Sequence, residues 1–205
     1  MLKLSSGLVE RKLIELNLAV FTIGEFSKTF RIKLSTARSF LSRNSRKENS
    51  SFSRLKIGLY SFNLNPPTRL EIANKLYKPS YISFESALSY YDIIPETVYG
   101  VTSATTKRSK NFRVQNSLFN YLRIKKILFF GYQPRKIKAK TILIAEKEKA
   151  LLDYIYLLSL NKQPINERLD LEKIETEKLG YYVKYYKRNL KKNKVFINLI
   201  KKIYK

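Results

Sequence analysis

Neither cysteine nor histidine occurs anywhere in this 205-residue chain. That double absence rules out a disulfide-stapled scaffold and any zinc-finger module. The fold must therefore be held without disulfide cross-links or a structural zinc. It also removes thiolate chemistry, the commonest general base and the commonest metal ligand. The apolar share, 44%, is enough for a sizeable core. The six glycines, at positions 7, 24, 58, 100, 131 and 180, never cluster, so there is no glycine-rich phosphate loop. Most familiar enzyme chemistries are thereby disfavoured, and no cofactor is expected.

Lys and Arg number 41 against 16 Asp and Glu, a net charge of +25. A surplus of that size favours a polyanionic partner. It is spread evenly, at +8, +9 and +8 over residues 1–65, 66–160 and 161–205. After Glu177 no acid follows, while ten Lys or Arg do. No uncharged apolar run approaches the roughly 20 residues of a membrane span. The longest, 150–160, is short and contains Asp153, and the first twenty residues carry Glu10 and Glu15, unlike a signal peptide. A cytoplasmic protein with no membrane partner is expected.

Leu8, Val9, Leu13, Leu16 and Ala19 recur at near-helical spacing, predicting a helix over 6–18 capped by Ser6. Thr22 followed by Glu25 is a capping box, and the short helix after it carries Phe26 and Phe30. A third helix follows, with Ser35 as its expected N-cap. Ala37, Phe40 and Leu41 share one face. Ser35, Thr36, Arg38, Ser39, Ser42, Arg43 and Arg46 collect opposite them. Arginines read guanine edges or phosphates, and small hydroxyls bond phosphates or bases without blocking approach, so this face suits a major groove. Residues 52–62 alternate like a hairpin, with Leu55, Ile57 and Leu59 expected inside and Arg54 and Lys56 outside on DNA phosphates. Three helices and a basic hairpin predict a winged helix-turn-helix over 1–65. The competing reading is a plain solvated basic helix.

Asn65-Pro66-Pro67 breaks the chain. Pro67 opens a helix over 68–76, and Ser83 is placed to cap another with Phe84, Ala87, Leu88 and Tyr91 on its face. Strand-like runs follow at 97–105, 110–114, 121–132 and 140–144. Residues 145–157 read as a helix apolar nearly all round, hence a buried one. Two basic helices, 165–179 and 181–204, close the chain. The fold class is α+β: a winged helix over 1–65, a mixed α/β domain over 66–160, and a basic helical extension over 161–205. An unpaired Asp153 in an apolar helix would cost several kcal/mol, so a basic or backbone partner is expected. Lys107, Arg108, Arg113, Lys125, Lys126 and residues 135–140 are expected to form a basic surface. A metal-dependent nuclease of the Glu-x-Lys type fails on spacing, because the second residue after Glu146 is Glu148 and after Glu148 is Ala150. Glu146, Glu148 and Asp153 remain a weak metal set.

In order, "RLKIGLYSF", "ANKLYKPSYISFESALSYYDIIPE", "VTSATTKR", "LFFGY" and "IAEKEKALLDYIYL" resemble the AbiEi-type antitoxins of type IV toxin–antitoxin systems. The resemblance spans about residues 20–160 and leaves the tail after about 161 unmatched. It implies a non-enzymatic phage-defence protein that represses its own operon through operator DNA. It also implies that the remaining domain counteracts a nucleotidyltransferase toxin of the AbiEii type. The alternatives are a stand-alone DNA-binding regulator and, more remotely, a nucleic-acid-processing enzyme.

Overall fold

A computed structural model describes residues 4–96, 99–137, 140–161, 165 and 167–203. The chain is a mixed α+β protein and divides between Leu76 and Tyr77 into two compact units. The division lies eleven residues beyond the expected boundary at 65/66, so the helix after Pro67 belongs with the first unit.

The first unit runs α1 (Ser6–Glu15), β1 (Val20–Thr22), α2 (Ile23–Thr29), α3 (Leu34–Asn44), β2 (Phe52–Lys56), β3 (Leu59–Phe62) and α4 (Arg69–Leu76). The three strands form an antiparallel sheet in the order β1-β3-β2. The capping box at the start of α2 is closed in both directions: Glu25 N–H donates to Thr22 Oγ1 at 3.1 Å, and Thr22 N–H donates to Glu25 Oε2 at 2.7 Å. Ser5, not Ser6, caps α1. Lys33 rather than Ser35 is the N-cap of α3 and makes no side-chain cap bond, which leaves Ser35 inside the first turn. The core is a run of aromatic contacts, Phe21 on Phe26 at 5.5 Å, Phe26 on Phe40 at 5.7 Å, Phe40 on Phe52 at 6.0 Å and Phe52 on Phe62 at 5.6 Å. Such pairs each add about 0.5–1.5 kcal/mol beyond their burial. Leu8 and Leu16 face solvent, because Val9 and Leu13 already fill the face of α1 that meets this core. Ile57, expected inside, is 85% exposed. It sits at the tip of the β2–β3 turn, where Gly58 supplies the left-handed φ of +79°.

The second unit comprises β4 (Ser80–Ile82), α5 (Phe84–Tyr90), β5 (Val101–Thr105), β6 (Lys110–Val114), β7 (Ser117–Arg123), β8 (Tyr132–Ile137), β9 (Lys140–Ala145), α6 (Lys147–Asn161), α7 (Thr176–Asn189) and α8 (Lys194–Ile203). Its six strands are ordered β6-β7-β5-β4-β9-β8; β4–β9 and β5–β7 are parallel and the rest antiparallel. Both edges are blunted against self-pairing, β6 by Lys110 and Arg113 and β8 by Pro134, Arg135 and Lys136. The run expected as one strand over 121–132 is broken by a 3₁₀ turn at Lys126–Leu128. The first expected strand begins at Val101, and residues 97–98 lie outside the described ones. Helix α6 is buried along almost its whole length and is packed by α5, α7 and α8. The tail is therefore part of this unit, not an appendage. Its two expected helices are offset: 167–175 is turn and 3₁₀, residue 166 lies outside the described residues, and the run over 181–204 is interrupted at Leu190–Asn193. Asn193 restarts the helix there by accepting from Phe196 N–H at 2.9 Å. Tyr204 lies outside the described residues. No described helix is long and apolar enough to cross a membrane.

Candidate nucleic-acid interface and a buried ionic cluster

Helix α3 has two sharply different faces. Ala37, Phe40, Leu41 and Asn44 are buried, and Asn44 Nδ2 donates to the Phe40 carbonyl at 2.8 Å, satisfying a polar group against the core. On the other side Ser35, Arg38, Ser39, Arg43 and Arg46 are exposed, and Thr36 and Ser42 are half-buried. Arg54 is exposed on β2. None of these four arginines is ion-paired with a carboxylate among the described residues. The hairpin's other expected cation is differently employed: Lys56 Nζ donates to the Leu76 carbonyl. Nearby, Lys75 Nζ reaches Glu25 Oε1 at 2.6 Å. Burial pushes the Glu25 carboxyl up, but Lys75 and the Thr22 N–H outweigh it and hold the group below its ordinary value. The acid nearest the start of α2 is thus neutralised within the unit.

On the second unit the expected basic surface is split. Lys110 and Arg113 lie on β6 and Arg135 and Lys136 on β8, at opposite edges of the sheet. Lys107 and Lys110 lie over the rings of Tyr77 and Phe112, at 5.5 and 4.9 Å. Lys140 is buried, and residues 138–139 lie outside the described ones.

The second unit encloses an ionic cluster instead. Lys149 and Asp153, one turn apart on α6, are both fully buried and paired. Asp153 Oδ2 accepts from Tyr81 Oη at 2.9 Å and Ser83 Oγ at 2.8 Å; Oδ1 accepts from Tyr186 Oη at 2.7 Å as well as from Lys149. Ser83 therefore faces Asp153 and makes no side-chain cap for α5. Lys149 also donates to Tyr81 Oη at 2.8 Å. The ammonium lies 5.3–5.4 Å from the ring centres of Tyr81, Phe130 and Tyr186. Burial lowers the Lys149 ammonium's pKa, with Asp153 opposing. Burial, reinforced by the Asp153 charge, pushes the Tyr81 and Tyr186 phenols well up. Every acceptor position of Asp153 is filled by the protein itself, so it has nothing left for a metal. Glu146 and Glu148 share Lys178, at 3.1 and 3.9 Å, and Glu146 also accepts from Tyr182 Oη at 2.6 Å. The weak metal set is thereby dispersed, and among the described residues no three acidic groups gather into a metal cage.

The sequence placed Lys149 four residues before Asp153, a readable helical pairing. Tyr81, Ser83 and Tyr186 carried no local signal, because only the fold brings them there. Compared with known proteins, the chain matches no family model and no curated relative.

Proposed function

We propose that this protein is a DNA-binding antitoxin of the AbiEi type, acting in the cytoplasm without enzymatic activity of its own. In this reading the first unit is a winged helix. Helix α3 enters the major groove, with Arg38, Arg43 and Arg46 meeting base edges or phosphates and Ser35, Thr36, Ser39 and Ser42 filling the gaps. Arg54 reaches a flanking phosphate from the β2–β3 wing, and Lys56 stiffens the wing's base. The observation that carries the reading is the exposed face of α3, where three arginines without carboxylate partners stand among small hydroxyls while the opposite face is packed on aromatics. An 11-residue helix is about 16 Å long, at 1.5 Å per residue, which fits a groove about 12 Å wide. The toxin partner, a nucleotidyltransferase of the AbiEii type, is supported by the ordered motifs over 20–160 alone.

Duplex DNA from upstream of the protein's own gene is the probe in a gel-shift assay. Arg38→Ala with Arg43→Ala removes two contacts of about 1–3 kcal/mol each, a loss of at least roughly 30-fold. Unchanged binding rejects the α3 placement. The toxin assignment is tested separately, by whether co-expression rescues cells from a neighbouring nucleotidyltransferase gene product. DNA binding without rescue leaves a stand-alone regulator.

A further inference from the structure

A groove of about 720 Å³ opens in the second unit between the end of α6, the end of α7 and the start of α8. Five cations line it, Lys125, Arg188, Lys191, Lys192 and Lys194, and no acid does. All five are exposed, and none is ion-paired with a carboxylate among the described residues. We propose that this groove binds the sugar–phosphate backbone of nucleic acid, as a site separate from α3.

The walls are held in place before any ligand arrives. Asn193 Nδ2 donates to Ser159 Oγ at 2.9 Å, tying α8 to α6, and Ser159 Oγ donates to the Tyr156 carbonyl at 2.7 Å. Asn189 Nδ2 donates to the Tyr185 carbonyl at 2.9 Å, fixing the end of α7. Tyr156 lines the floor. Burial and the Asp153 charge push its phenol up, and the Arg123 guanidinium pulls the other way. Packing like charges around a concave rim costs energy in the free protein, and a polyanion relieves it.

The lining also separates a phosphate backbone from an acidic protein surface. Protein interfaces are depleted in lysine and anchored by buried aromatic or Arg side chains, whereas nucleic-acid interfaces are strongly positive. Here four of the five cations are lysines, and the aromatic Tyr156 is only 5% exposed, unable to serve as a stacking platform. Backbone contact without base reading is what such a groove offers.

The test uses the full chain with Lys191→Gln, Lys192→Gln and Lys194→Gln combined, surface changes whose fold is checked by circular dichroism. The probes are a fluorescein-labelled 24-base-pair duplex of scrambled sequence, a 24-nucleotide oligo(U) RNA and poly-glutamate. Affinity for a nucleic-acid probe should drop at least tenfold. The slope of log K against log salt should shrink by about 2–3 on duplex, near 0.9 per lost phosphate contact. Loss on duplex assigns the groove to DNA and loss on RNA to RNA; both support the proposal. Unchanged affinity and slope on both overturn it. Loss confined to poly-glutamate also overturns it, in favour of an acidic protein partner. The α3 double variant separates the two sites: it should abolish preference for the upstream sequence over the scrambled duplex while leaving the groove's contribution intact.

Discussion

Replacing Asp153 by leucine leaves the Lys149 ammonium sealed in the protein with the Tyr81 hydroxyl as its remaining hydrogen-bond partner. The side chain can shed its proton instead. Keeping Lys149 neutral at pH 7, against an ordinary value of 10.5, costs about 5 kcal/mol at about 1.36 kcal/mol per pH unit. That caps the electrostatic loss, and cutting one partner from a buried pair ordinarily costs about 3–5 kcal/mol. We therefore expect Asp153→Leu to lose about 4 kcal/mol, a large part of a stability of about 5–15 kcal/mol. Lys149→Met is milder, at about 2 kcal/mol, because Asp153 keeps three hydroxyl donors whose charge-assisted bonds hold it. The double variant removes both charges and should also lie within about 2 kcal/mol of the parent. The diagnostic result is that Asp153→Leu alone is worse than the double variant, although the double variant deletes more. The assay is urea unfolding followed by tyrosine fluorescence. The chain has no tryptophan, and Tyr60 is the lone tyrosine of its 15 before residue 77, so the signal reports the second unit. An Asp153→Leu variant no less stable than the double would refute an account based on a stranded charge.

Burial pushes the phenols of Tyr81, Tyr121 and Tyr186 up from 10.0. Their contribution to stability is complete below pH 10 and is lost as pH rises above it, at about 1.36 kcal/mol per pH unit for each phenol. Lys149, held down by burial, acts with the opposite sign but is one group against three. Melting temperature should fall between pH 10 and 11.5, less steeply in Tyr121→Phe; a flat profile would contradict the burial of these phenols. Gly131 has φ +67°, and a Cβ there would sit 3.1 Å from Lys149 Cγ, inside a fully buried side chain. Gly131→Ala should cost about 1–2 kcal/mol from the left-handed backbone alone, with the crowding added, as read by the same urea midpoint. Thr22→Ala opens the capping box of α2 and should cost about 1 kcal/mol, seen by far-ultraviolet circular dichroism; no change in melting would show that the cap does not limit stability.

Helix α3 and the capping box were legible because both are local. A 3.6-residue period and a Thr-x-x-Glu spacing need no distant partner. The errors share a cause, which is that periodicity does not say where an element stops. Leu8 and Leu16 continue the pattern of α1 but lie off the narrow stripe its core uses. Ile57 continues the alternation of β2 into a turn whose tip has no core to face. Strand β8, Tyr-Gln-Pro-Arg-Lys-Ile, hid behind a polar composition that suits an edge. The tail broke at Leu190–Asn193 because Asn193 caps a new helix inside what reads as one basic amphipathic run. The groove was illegible for a different reason: Lys125 and the cations at 191–194 are more than sixty positions apart in the chain.

The parallel pairing of β4 with β9 joins Ile82 to Ile144, and the carboxylate it helps to enclose draws on residues as far apart as Tyr81 and Tyr186. Loops that long must close before their contacts return any energy, which slows assembly. On a translating ribosome the aromatic nucleus of residues 9–62 can therefore mature early. The six-stranded half has to wait, with its central strands open to chaperones and proteases, until the segment bearing Tyr186 has left the exit tunnel. A premature stop after Leu76 and before Tyr186 should yield a chain with a sound first unit and a degradable remainder.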